Sequence, residues 1–451
     1  MSRNQEVGRM NSISERVCQR RAVLQASALA AAALAQGMHL APTEAAEASK
    51  ANGPLRSPKV ETKQIAVLLS PEVKSRLTRL HMRQAMWDAG CLMTYEDHGP
   101  QGEKDVLPRI SFRRSMVWRG SRAGGNYQHH VQLARFKGRI CLAWSNGMVD
   151  EEAPGQQILI ASSEDGIQWT TPDVVLPRQE KENLVHNCVG LLATAEDLFL
   201  YAWTEVAVRA AGVTGMRRIE PASSRVDLYS SRDGKQWSLR TPRLTHPGKN
   251  HAAIFEAPRP TRDGFYLCGG SQSGPVVFRW KPGGLAKEPE VIRVPLAPDA
   301  SFPYGEATWY QAPDGLIVMF WRDEACSCRL FVNFSTDQGR TWTQPVISDI
   351  PNSMQRVYAG ALPDGRVYLV NDACPGLLQR RQLTIATSRD GRRFDRIAML
   401  VDDPTRQRFP GLLKAHGWQY PCVLVHGNRL LVAYSVNKED VECGVLDLAE
   451  L

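Results

Sequence analysis

From about residue 120 onward, short apolar runs alternate with compact polar turns. Ile158-Leu159-Ile160-Ala161 and Leu330-Phe331-Val332 have the length and content of buried strands, and each leads into a turn. Those turns repeat. Ser335-Thr336-Asp337-Gln338-Gly339-Arg340-Thr341-Trp342 has the form S-x-D-x-G-x-T-W, and looser copies occupy Ser162 to Trp169, Ser230 to Trp237 and Thr387 to Phe394. In such a turn the Ser and Asp oxygens accept backbone N–H bonds, Gly supplies positive φ, and the aromatic ring folds back on the hairpin. These residues hold a fold and carry no chemistry.

The aromatic ends at 169, 237, 342 and 394 are separated by 68, 105 and 52 residues. The middle gap is nearly twice the last, so one unit without the motif lies between Trp237 and Trp342. A second series of turns, including Arg262-Asp263-Gly264, Pro313-Asp314-Gly315 and Pro363-Asp364-Gly365, is flanked by strands on both sides. Units therefore begin near Asn126, His186, Asn250, Tyr304, Arg356 and Tyr420. Repeats of about 40–50 residues built from short strands predict a β-propeller. Residues 92–118 contain Ile110-Ser111-Phe112 and Met116-Val117-Trp118, which could close the ring with the C-terminal strands. The expected fold is all-β, a propeller of six or seven blades with seven favoured, over residues 92–451. Residues 49–91 are expected to hold a linker and one short helix, starting at Pro71.

Composition narrows the function classes. A chain of 451 residues that is 43% hydrophobic is no disordered protein. The net charge of +8 is scattered rather than gathered on a stripe, which argues against nucleic acid and suits an acidic ligand. Gln19-Arg20-Arg21 precedes an Ala-rich stretch, the pattern of a twin-arginine export signal over residues 1–48. A periplasmic or extracellular monomer, free of the membrane once the signal is removed, is expected. Of ten cysteines, Cys326 and Cys328 form the one close pair. With His251 and Cys268 on neighbouring units they make a candidate structural zinc set, three Cys and one His. No organic cofactor is expected.

The repeated turn resembles the Asp box of the sialidase-like propellers, over most of residues 120–450. The resemblance implies boxes on the bottom face, at the turn between third and fourth strands, and a ligand face opposite. Six polar segments would converge there: Tyr127 to His130, His186-Asn187, Asn250-His251, Tyr304 to Glu306, Arg356 to Tyr358, and Gln419-Tyr420. A long loop after the second strand of the second unit adds Trp203, Glu205, Arg209, Arg217, Arg218 and Arg225. Arginine forks suit a carboxylate ligand.

Sialidases carry Arg-Ile-Pro near the start, three arginines on the substrate carboxylate, a Tyr–Glu nucleophile pair and an Asp acid/base. Here Arg109-Ile110 is followed by Ser111. The segments Asn126 to His130, Asp150 to Gln156 and Tyr434 to Asp440 look more like propeller polysaccharide lyases and rhamnosidase-like enzymes of rhamnose–uronic acid polymers such as ulvan. That resemblance implies His130 (or His129) and Tyr201 as proton-transfer groups and Arg217 on the uronate, in a β-elimination. Substrate contacts would come from His129, Tyr127, Trp203, Glu205, Arg218, Tyr304, Glu306, Arg356 and Tyr358. A sialidase-type glycoside hydrolase, with Glu205 or Glu306 as acid, and a non-catalytic sugar-binding propeller are the alternatives.

Overall fold

The apolar runs become six antiparallel sheets in the computed structural model, which describes residues 66–88, 107–209, 217–219, 223–240, 252–272, 274–285, 287–296 and 306–451. The expected export segment lies outside the described residues, as does the linker up to residue 65. Blade 1 runs through Tyr127–Phe136, Arg139–Gly147, Gln157–Ser163 and Asp173–Leu176 as a simple meander. Blade 2 follows with Leu184–Ala193, Leu198–Arg209, Arg225–Ser231 and Ser238–Arg240, and blade 3 with Ala252–Ile254, Tyr266–Gln272, Pro275–Trp280 and Glu290–Arg293. Blade 4 comprises Ala307–Gln311, Ile317–Trp321, Arg329–Ser335 and Val346–Pro351; blade 5 comprises Tyr358–Ala361, Val367–Asn371, Leu383–Ser388 and Arg396–Val401.

Blade 6 departs from the meander. Trp418–His426, Arg429–Val436 and Asp440–Asp447 supply only three strands, and Arg113–Arg119 pairs with the last of them as the fourth. The propeller thus has six blades rather than the favoured seven. The early strand closes the ring with the C-terminal strands, as residues 92–118 suggested.

First strands of successive blades pack beside one another, so they form the innermost ring. They are buried along their length, and apolar clusters fill the gaps between blades. One such cluster joins Val189, Tyr201, Val226, Cys268, Phe278 and Trp280 between blades 2 and 3.

All four Asp boxes fall between the third and fourth strands of blades 1, 2, 4 and 5. In each, the Ser hydroxyl lies 2.9–3.0 Å from the Asp carboxylate. Asp337 accepts from the Thr341 backbone N–H at 2.9 Å and from its hydroxyl at 2.7 Å. Gly391 has φ 69°. A Cβ there would stand 2.5 Å from the Ala312 Cβ of blade 4, so the box glycine is also where one blade touches the preceding one.

The expected helix is observed as Pro71–Asp88. Leu68-Leu69 pairs in parallel with Arg393-Phe394, Ser70 Oγ accepts from the Val73 N–H at 3.2 Å, and Lys74 lies 2.5 Å from Asp349. Val73 and Leu77 are buried against an apolar cluster of blades 4 and 5. Among the described residues no helix is long and apolar enough to cross a membrane.

Candidate functional site

At the face opposite the boxes, the innermost strands begin with buried polar residues instead of apolar ones. Gln128, His129, His130, His186, Asn187, Glu306, Arg356 and Gln419 are all buried there. The strands are also irregular at this end, with register breaks between His129 and Gln132, Cys188 and Gly190, and Gln419 and Cys422. A bulge re-aims a side chain out of the pleat. His130 and Tyr420, one beside each of two breaks, have φ of 52° and 56°, which costs a non-glycine residue on the order of 1 kcal/mol or more.

Those bulges bring blades 1 and 6 into contact. The ring of His129 lies 3.8 Å from that of His130 and 4.1 Å, edge-on, from that of Tyr420. His129 Nδ1 is 3.2 Å from the Tyr127 hydroxyl and 3.3 Å from Glu151 Oε1. A carboxylate only accepts, so the Nδ1 hydrogen belongs on that side and Nε2 presents its lone pair. Nε2 is buried without a hydrogen-bond partner. Burial, then the neighbouring His130, Lys438, Arg380 and Arg356, hold the His129 imidazole well below its ordinary value. It is therefore a neutral base at pH 7.

Around Tyr420 the second-strand ends contribute charge. Arg322 donates from Nη1 to the Tyr420 hydroxyl at 2.7 Å and to Glu306 at 2.5 Å, and its Nε lies 2.7 Å from Glu324. The guanidinium of Arg380 stands 5.4 Å from the Tyr420 ring, and Lys438 Nζ 5.5 Å from it. Lys438 is 2.8 Å from Glu151, and burial lowers its ammonium to about 8. Burial raises Glu324 to about 7 against the pull of Arg322, and pushes the Tyr420 phenol up. The set brings a neutral imidazole, a phenol and several cations together at this rim. That can hold a carboxylate and move a proton.

The sequence-derived candidates divide. Tyr127, His129, His130 and Glu306 belong to this cluster. Arg356 reaches across the axis to the Phe255 carbonyl. Tyr358 is buried beside Arg259, whose guanidinium lies 4.9 Å from its ring. Trp203 donates to Ser224 at 2.6 Å and meets Phe255 edge-on, while Glu205 is fully buried and raised by burial to about 8. Tyr201 sits lower on its strand, opposite Gly190 and Leu228, within the apolar cluster between blades 2 and 3. Its position is that of a core tyrosine, away from the polar ends that carry His129 and Tyr420. Arg217 and Arg218 lie on a short strand paired with Ala207–Arg209, and their side chains are outside the described residues, as is Tyr304.

The zinc set is not gathered. Cys268 is in the same apolar cluster as Tyr201, whereas Cys326 and Cys328 are on the loop after the second strand of blade 4; His251 lies outside the described residues. Among the described residues no three His, Cys, Asp or Glu side chains are arranged to hold a metal.

Sequence reasoning missed Arg322, Arg380 and Glu324, and quoted Tyr420, Glu151 and Lys438 without giving them a role. A usable signal existed for two of them: the charged run Arg322-Asp323-Glu324 directly follows the wholly buried strand Ile317–Trp321. Arg380 follows no comparable pattern.

The family model described as a BNR repeat-like domain matches residues 138–432. No curated protein matches the chain by sequence. Among solved structures, a protein of unknown function from Dyadobacter fermentans aligns at TM-score 0.57 and 18% identity, over 74% of this chain and 98% of the other. The Hadza microbial sialidase Hz136 aligns at 0.57 and 16%, over 74% and 68%. The intramolecular trans-sialidase from Ruminococcus gnavus aligns at 0.56 and 14%, over 75% and 98%. At these identities the likeness is one of fold.

Proposed function

The chain belongs to the BNR repeat-like domain family, and we propose that within it this protein cleaves carboxylate-bearing glycan by β-elimination at a uronate. The observation that carries the reading is His129: a neutral imidazole with Glu151 on its Nδ1 side, a free Nε2, and the Tyr420 ring against it. A uronate C5 proton is hard to remove while the adjacent carboxylate keeps its charge. Arg322 and Arg380 stabilise the enolate-like charge that builds there. His129 Nε2 takes the C5 proton, the C5–H electrons form the C4–C5 double bond, and the C4–O bond breaks with a proton from Tyr420. His130, its ring tilted against that of His129, shares in placing it. In this scheme Tyr420 takes the part first given to Tyr201, and Arg322 with Arg380 the part given to Arg217.

One arrangement favours a second reading. The chain of contacts Glu306–Arg322–Tyr420 would also support a tyrosine nucleophile in a glycoside hydrolase. The products separate the two. Incubation with uronate polymers and with sialosides should give ultraviolet absorbance from an unsaturated uronate, lost in His129→Gln. Reducing ends without that absorbance would sink the elimination and favour hydrolysis; binding with neither product would make the protein a lectin.

A further inference from the structure

A thiol and a thioether in contact, with a second thiol two residues along the same loop, lie beside this site and have no part in it. Cys326 and Cys328 occupy the loop after Trp321, and Met354 the segment entering blade 5. Cys326 Sγ is 3.7 Å from Met354 Sδ. Cys326 is exposed, Cys328 and Met354 half-buried. Each of the three residues holds a left-handed backbone, with φ of 66°, 56° and 61°. The loop is pinned: Asp323 accepts from the backbone N–H groups of Ala325 and Ser327, each at 2.8 Å, and Cys328 accepts from the Asn352 N–H at 2.9 Å. The thiols are thus presented by a fixed turn.

We propose that Cys326, Cys328 and Met354 bind one thiophilic monovalent metal ion, Cu(I) by the chemistry of its ligands. Thiolate and thioether donors select soft ions, and a set of two thiols and one thioether is one ligand short of the four that structural zinc takes, with a thioether that zinc does not use. The spacing fits. An ion about 2.3 Å from both Cys326 Sγ and Met354 Sδ would subtend roughly 107° between them, within the range of trigonal to tetrahedral coordination. Each thiol releases its proton as its sulfur–metal bond forms, with no change in oxidation state. Cys374, buried with its Sγ 3.7 Å from Gln379 Oε1, is a nearby thiol outside the set. The site would share its loop with Arg322 and Glu324, and the Met354 carbonyl already accepts from Arg380 at 2.9 Å.

The test presents Cu(I) to the reduced full chain from a coloured Cu(I) chelator. Wild type should withdraw one equivalent per chain. Cys326→Ser and Cys328→Ser should each weaken binding at least about 100-fold, Met354→Leu at least about 10-fold, and Cys374→Ser less than about 2-fold. X-ray absorption of the loaded wild type should give a first shell of sulfur alone, a readout that needs no variant to fold. Retained binding in the Cys326→Ser/Cys328→Ser double variant, wild-type affinity in Met354→Leu, or nitrogen and oxygen in the first shell would overturn the proposal.

Discussion

The two rims of the propeller use the same devices, turns and positive φ, to opposite ends. At the box rim each turn closes on itself within a few residues: Ser hydroxyl to Asp carboxylate, Asp to the next backbone N–H groups, Gly at the left-handed position. These bonds hold Asp233 at about 2 and keep Asp165, Asp337 and Asp390 below their usual range. At the opposite rim the left-handed positions belong to His130, Tyr420, Met354 and Lys438, with φ between 52° and 61°. There partners from other blades join those of the same one, as Lys438 does Glu151 and Arg322 does Tyr420. One rim is self-sufficient and stabilising. The other is strained, holds charge in a buried place, and depends on the whole ring to stay assembled.

That contrast can be broken from either side. The largest effect is expected from Arg322→Met, which leaves Glu306 and Glu324 buried without their cation. It should cost about 3–5 kcal/mol of unfolding free energy and abolish turnover, measured by denaturant titration and by product absorbance. Tyr420→Phe should lower turnover roughly 10³-fold, with stability reduced by no more than about 1.5 kcal/mol. A Tyr420→Phe enzyme of normal activity would remove the phenol from the chemistry. Gly391→Ala, at the box rim, should do the reverse: a loss of about 1–3 kcal/mol in stability from positive φ and collision with Ala312, with turnover per folded molecule unchanged.

The smallest effect at neutral pH belongs to His186, whose Nδ1 is 3.0 Å from the Thr204 hydroxyl and whose imidazole burial lowers to about 4. An unfolded histidine titrates near 6.5, so between there and 4 the unfolded chain binds the extra proton. Stability should fall as pH drops through that window, by up to about 1.4 kcal/mol per pH unit. His186→Gln should flatten that limb and leave the pH 7 value nearly alone; equal slopes would show that the histidine takes up its proton equally in both states.

The same contrast explains what the sequence disclosed. The boxes were legible because their bonds span at most four residues, so spacing alone carries the geometry. The unit between Trp237 and Trp342 was inferred from distance even without its box, and it appears as blade 3. The blade number stayed open between six and seven, with seven favoured, because the strand that closes the ring, Arg113–Arg119, pairs with one more than 300 residues away, although residues 92–118 were read as able to close it. His129, His130, Tyr127 and Glu306 were found as polar residues at the starts of buried strands. Tyr201 was chosen for its residue type on the correct strand, but it lies deeper, between Leu200 and Ala202, where both neighbours are fully buried apolar residues. Lys438 and Glu151 each stood in a segment quoted for its resemblance, but that the two meet, across 287 residues, was not legible there.

The seam in blade 6 sets the order in which the molecule can be finished. The Gly120 N–H bonds to Asp440 at 2.8 Å across 320 residues, and the loop so closed carries an entropic cost of about 5 kcal/mol. On the ribosome, Arg113–Arg119 must wait as an unpaired edge until Asp440–Asp447 has emerged. Five blades can stack during synthesis, but the circle locks only afterwards, and slowing that final docking would leave an open crescent with two exposed sheet edges.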